Sequence, residues 1–101
     1  MTLGEAIKEA RRVLAKSQKD LASEILKEDG EAISAQYLND IERDRRIPSS
    51  SVLEQLGKKL KLDPDYLHVL ADRFPADLRA GRYEPTTVQA ALKAFRKKLN
   101  G

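Results

Sequence analysis

The sequence predicts an all-α chain, five short helices forming one small body and an added C-terminal helix. Three observations carry that prediction. Apolar residues recur at spacings of three and four in segment after segment, helix caps stand at the heads of those segments, and no run alternates at period two for long enough to make a strand. With 101 residues the chain suits one domain plus an extra element, since a core of this size rarely divides into two stable halves. We place the boundary so that residues 1–72 form the body and 73–101 the extension.

Leu3, Ile7, Ala10 and Leu14 mark a first helix that buries one stripe. Ser17 caps a second, with Asp20 in its first turn and Leu21, Ala22, Ile25 and Leu26 as its apolar face. The run from Lys27 to Glu31 breaks the rhythm, and Gly30 supplies a left-handed turn position. Ser34 heads a short third helix to Glu42, with Tyr37, Leu38 and Ile41 toward the core and Ala35, Gln36, Asn39 and Arg43 toward solvent.

Pro48 and the serines after it close a basic hinge, with Ser49 and Ser51 equally good caps for a fourth helix that runs to about Leu60. Asp63-Pro64-Asp65 is a strong start for a fifth, carrying Tyr66, Leu67, Val69 and Leu70. Phe74-Pro75 interrupts it, and Pro75 to Leu78 makes one short turn. A last helix begins near Thr86 or Thr87 with Val88, Leu92, Phe95 and Leu99 on one stripe, which must meet its own domain or a second chain.

The composition, 41% hydrophobic and 35% charged, is that of a globular chain rather than a disordered one. No apolar run is long enough to span a membrane or to act as a secretion signal, so no membrane partner is expected and the expected location is cytoplasmic, on the nucleoid. The absence of Cys and a single His argue against structural zinc and thiol chemistry. The net charge of +3 decides little, whereas its clustering at Arg43, Arg45 and Arg46, at Lys58, Lys59 and Lys61, and at Arg96, Lys97 and Lys98 predicts a one-sided positive surface.

Catalysis has thin materials. His68 reads as a surface or satisfied core residue, Asp63 and Asp65 are explained by capping, and the scattered glycines make no phosphate loop. The chain is not expected to be an enzyme or to hold a cofactor or metal. DNA binding has more support. Gln36 near the start of an exposed helix can pair with a base edge, Asn39 one turn on can do the same, and Arg43, Arg45 and Arg46 leave that helix where a sugar-phosphate backbone would lie. Gln18, in the first turn of the second helix, adds a donor for a phosphate.

This pattern resembles the Cro/CI-type, or XRE, family of helix-turn-helix regulators, the lambda repressor-like DNA-binding domain. Arg11 and Gln18 keep the family's spacing. Its Gln-x-x-Leu-Ala is Gln18, Leu21 and Ala22, and its Ile-Glu-Arg-Gly-x-Arg-x-Pro-Ser is matched by Ile41, Glu42, Arg43, Asp44, Arg46, Pro48 and Ser49. Leu53, Leu56, Leu60, Leu62, Asp65 and Leu67 fit the closing helices, so the likeness runs from about Leu3 to Leu70. The resemblance implies that Arg11 pairs with Glu42, that Gln18 clamps a phosphate, and that Gln36 reads a base. It also implies that Ala35, Tyr37 and Asn39 face bases, and that Ser34, Arg43, Arg45 and Arg46 meet the backbone.

Departures from the family's pattern are a longer link from Ala22 to Ser34, Ala15 and Asp44 at usual glycines, Lys16 at a usual leucine, Ala35 at a frequent glutamine, and Asp40, whose charge would repel phosphate. The expected function is a sequence-specific transcription regulator binding double-stranded DNA, a repressor on a palindromic operator. A homodimer is expected, with Val88, Leu92, Phe95 and Leu99 as its contact unless that helix folds back as core. The alternative is a protein-interaction module, such as an antitoxin or adaptor, that uses the same fold to bind a protein partner.

Overall fold

The computed structural model describes residues 1–101, and seven helices form rather than six. They are α1 (Leu3–Val13), α2 (Gln18–Ser23), α3 (Ala35–Glu42), α4 (Ser50–Leu60), α5 (Pro64–Leu70), α6 (Ala76–Arg79) and α7 (Pro85–Asn100). The chain is all-α, with α1 to α5 as an N-terminal body and two helices after it. Where one short turn was expected after Pro75, a four-residue helix stands.

Local chemistry starts each body helix. At α1 a capping box is complete: the Thr2 hydroxyl accepts from the Glu5 N–H at 3.1 Å, and the Thr2 N–H donates to Glu5 Oε1 at 3.0 Å. Those bonds from Thr2, the backbone one foremost, hold the Glu5 carboxyl below its ordinary range. Ser17, Ser34 and Ser49 cap α2, α3 and α4, and Asp63 caps α5 ahead of Pro64. Between the two candidate caps of α4, Ser49 is the one used.

Helix α2 is shorter than its apolar pattern implied. It ends at Ser23, so Ile25 and Leu26 leave the helix. The link to α3 turns back on itself instead: Leu26 bridges Ala32 in antiparallel fashion, Ile33 N–H donates to Ile25 O at 2.9 Å, and Gly30 sits at φ +87° at the tip. Ile25 and Ile33 are buried there, so the apolar pattern is satisfied without helix. The Gln55 amide holds this link from α4, accepting from Leu26 N–H at 2.7 Å and donating to Leu26 O at 2.8 Å.

The core joins Leu3 and Ile7 of α1, Leu21 of α2, Leu38 and Ile41 of α3, Val52, Leu53, Leu56 and Leu60 of α4, and Leu67 of α5. Each such side chain, fully buried, stabilises the fold by about 1.5–3 kcal/mol. Helix α1 approaches the end of α3 so closely that a Cβ at Gly4 would run into the carbonyl oxygens of Ile41 and Glu42. His68 is buried in α5, and its Nδ1 donates to Pro64 O at 2.8 Å.

The extension contrasts with this body. No residue of α6 or α7 is buried, and Val88, Leu92, Phe95 and Leu99 are 38%, 37%, 49% and 68% exposed. Helix α7 starts at Pro85, at the first helical position where proline is favoured, one or two residues before the expected threonines. Its stripe borders shallow grooves with Phe74, Leu78 and Tyr83 without becoming core.

Candidate nucleic-acid interface

Helix α3 divides its two sides sharply. Leu38 and Ile41 are fully buried, while Gln36 and Arg43 are exposed and Asn39 and Asp40 half-exposed. Positions 36, 39, 40 and 43 recur at three and four, which places them on one face of the helix. The Ser34 hydroxyl accepts from Tyr37 N–H at 3.0 Å, and Ala35 is half-buried beside it. Arg46 lies over the Tyr37 ring, 4.7 Å from its centre, a cation–π contact that joins two of the residues expected to meet DNA. Arg43 and Arg45 are exposed and form no ion pair.

Behind that face runs a polar network. Arg11 Nε donates to Glu42 Oε2 at 2.7 Å, its Nη2 to Glu42 Oε1 at 3.0 Å, and its Nη1 to Lys16 O at 2.8 Å. The bond to Glu42 raises the already high pKa of Arg11, partly opposed by burial. Gln18 Nε2 then donates to Glu42 Oε1 at 3.0 Å and to Asn39 Oδ1 at 3.2 Å. A side-chain amide carries two N–H bonds, and both are now used inside the protein. Gln18, the residue expected to clamp a phosphate, thus has its side-chain donors engaged within the free protein.

Asp40 is also more than a repulsive charge. Gln36 Nε2 donates to Asp40 Oδ1 at 3.1 Å, an i,i+4 bond that orients the exposed amide. Asp44 and Ala15, which stand where the family has glycines, adopt left-handed backbone at φ 60° and 55°. Such angles strain residues with a Cβ. At Asp44 the carboxylate offsets that strain by accepting from Gly4 N–H at 2.8 Å and the Thr2 hydroxyl at 2.6 Å, at the positive end of α1. Sequence reasoning missed this role, although an acid in place of a glycine after Arg43 was the available signal.

The extension is tied to the chain leaving α3. Arg73 Nη1 donates to Pro48 O at 2.7 Å, and Arg79 Nη2 donates to Ser50 Oγ at 2.6 Å. Neither bond was visible in local sequence. Charge is divided unevenly as well: residues 1–72 hold twelve Lys and Arg against fourteen Asp and Glu, a net of −2, while residues 73–101 hold seven against two, a net of +5. No group of three or more His, Cys, Asp or Glu side chains could hold a metal ion, and no helix is long and apolar enough to cross a membrane.

The helix-turn-helix domain family matches residues 4–73. A chain of a solved SinR protein/SinI protein complex is 26% identical, with a TM-score of 0.53 over 98% of this chain and 92% of that one. No curated protein matches the sequence. The chain belongs to the helix-turn-helix domain family, and its body is a DNA-binding domain of the XRE, or Cro/CI, type.

Proposed function

We propose that this chain is a sequence-specific transcription regulator that represses by occupying a palindromic operator as a homodimer in the cytoplasm, on the nucleoid. The observation that carries the proposal is the outward row Gln36, Asn39, Asp40 and Arg43 on a helix whose opposite side is locked into the core. Such a helix fits the major groove, where amides distinguish base edges, while Ser34, Arg43, Arg45 and Arg46 meet phosphates and Tyr37 and Ala35 lie against bases or sugars. One such helix reads only a few base pairs. Two half-sites about one helical turn, roughly 34 Å, apart would supply useful affinity.

Residues 1–72 serve as the reader and 73–101 as the element that pairs two copies through Val88, Leu92, Phe95 and Leu99. An exposed apolar stripe on a 16-residue helix favours such a role, since isolated helices of this length are marginal in water. The test is selection of bound fragments from a random duplex library, with sedimentation of the free protein and of the complex. A two-fold symmetric consensus and two chains per site are expected. Binding without sequence preference at 150 mM salt would overturn the proposal.

A second reading has one observation in its favour. The similar chain comes from a complex of two different proteins, which favours a protein partner for this chain too, as an antitoxin or adaptor would have. Leu92→Asp separates the two. It should convert a homodimer to monomer and weaken operator binding steeply, whereas a protein that is already monomeric with full DNA affinity supports the partner reading.

A further inference from the structure

We infer that Asn39 reads DNA as a hydrogen-bond donor only, its polarity imposed from the protein interior through Gln18, so that it selects a base edge rich in acceptors, guanine first. This rests on the reading of α3 as the recognition helix. A carboxylate bonded to Arg11 can only accept, so the amide nitrogen of Gln18, not its oxygen, must face Glu42 Oε1. The same nitrogen has one more hydrogen, and its nearest partner is Asn39, which must therefore turn its oxygen inward. Asn39 is half-exposed and its nitrogen makes no bond within the protein, so its donors stay available to a ligand.

The direction of every bond in this relay follows from the Glu42 carboxylate, which can only accept, and no member can reverse without leaving two like ends in contact. Gln18 is thus a positioning residue, because it touches the reader rather than the base. Guanine offers N7 and O6 as acceptors in the major groove and thymine offers O4, whereas cytosine presents an N4 donor that an outward amide nitrogen cannot satisfy. Adenine, the usual partner of a freely rotating asparagine, needs both ends of the amide turned toward the base, and here the oxygen is turned toward Gln18.

The experiment is fragment selection from a random duplex library with the full chain, wild type against Asn39→Ala, Asn39→Asp and Gln18→Ala, each first shown to melt cooperatively. Asn39→Ala should flatten the preference at one position per half-site, a loss of about five- to tenfold in discrimination, the share of one hydrogen bond. That position should be guanine or thymine in the wild-type consensus, with cytosine most disfavoured. Asn39→Asp keeps the bond from Gln18 but presents an acceptor, so the preference should swing to cytosine at the same position. Gln18→Ala frees the Asn39 amide to turn, and adenine should rise there while the salt dependence of binding stays the same.

A wild-type consensus with adenine or cytosine at the Asn39-sensitive position, or no position that responds to Asn39→Ala, overturns the inference and leaves the recognition helix standing. An unchanged profile in Gln18→Ala overturns the relay. A wild-type chain that selects no sequence at all overturns the regulator reading and this inference together.

Discussion

Residues 3–71 contain all 20 buried residues of the chain, and their polar groups are cross-linked over long distances in sequence: Arg11 to Glu42, Asp44 to Gly4, Gln55 to Leu26. Residues 76–101 bury nothing, although they include the longest helix. The two regions have equally good helical patterns, so periodicity does not separate them. What separates them is whether the apolar stripe finds a partner within the chain. The charge division follows the same line, with an acidic body and a basic extension, so attraction to a distant polyanion falls largely on the extension.

The largest test of the body is Glu42→Ala. Removing one partner of a pair whose side chains are 12% and 2% exposed leaves Arg11 uncompensated, and a loss of about 3–5 kcal/mol is expected. Urea unfolding measures it. A loss below about 1 kcal/mol, the value of a surface pair, would mean that the network does not distinguish the body from the extension.

Two glycine substitutions sharpen the account of the body and should differ in sign. Asp44→Gly relieves a left-handed strain of about 1 kcal/mol but removes both hydrogen bonds to the carboxylate, the part-buried one from Gly4 alone worth about 1.5–3, so a net destabilisation of at least about 1 kcal/mol is expected. Ala15→Gly relieves the same strain and loses no side-chain bond, so it should stabilise by about 0.5 kcal/mol after the entropy of the unfolded glycine is counted. Thermal melts of the two variants side by side decide the matter. If both destabilise alike, the carboxylate of Asp44 is not what offsets its backbone.

Cutting the chain after Pro75 should move the body's stability by no more than about 0.5 kcal/mol, because it removes no buried side chain and one exposed bond, Arg79 to Ser50. The same truncation should weaken non-specific DNA binding at low salt and make it less salt-dependent, since seven Lys and Arg in the extension fall to one. A truncated chain that fails to fold would erase the contrast between the regions. The smallest effect is acid sensitivity. Glu5 and Glu24 have pKa values lowered in the fold by bonds from Thr2 and Lys16, so what they add is present above the ordinary carboxylate value of 4.5 and fades as pH falls through their folded values. Both are exposed, and a small, salt-dependent downward step in melting temperature below that pH, lost in Glu24→Gln or Glu5→Gln, is the expected signature.

The body was legible because its signals are local. Ser17, Ser34 and Asp63 cap the N–H groups of the turn that follows them, and Leu53, Leu56 and Leu60 need only helical spacing to lie together. The end of α2 was not legible, because Ile25 satisfies a helical apolar pattern and a buried bridge equally well, and the choice depends on Gln55 from another helix. At the interface, Gln36, Asn39 and Arg43 were readable as an outward row. The bonds that orient Asn39, and the occupation of Gln18, were not.

The sequence by itself determined that the chain is helical, where most helices begin, and which side of α3 is polar, since each of these follows from neighbours within one or two turns. Tertiary structure alone decided that α7 stays uncovered, that Asp44 serves the start of α1, and that the amide of Asn39 turns its oxygen to Gln18. Those outcomes depend on groups 21 to 42 positions apart, or on a surface that no other segment reaches, and a hydrogen bond acquires its direction only when folding brings the donor and the acceptor together.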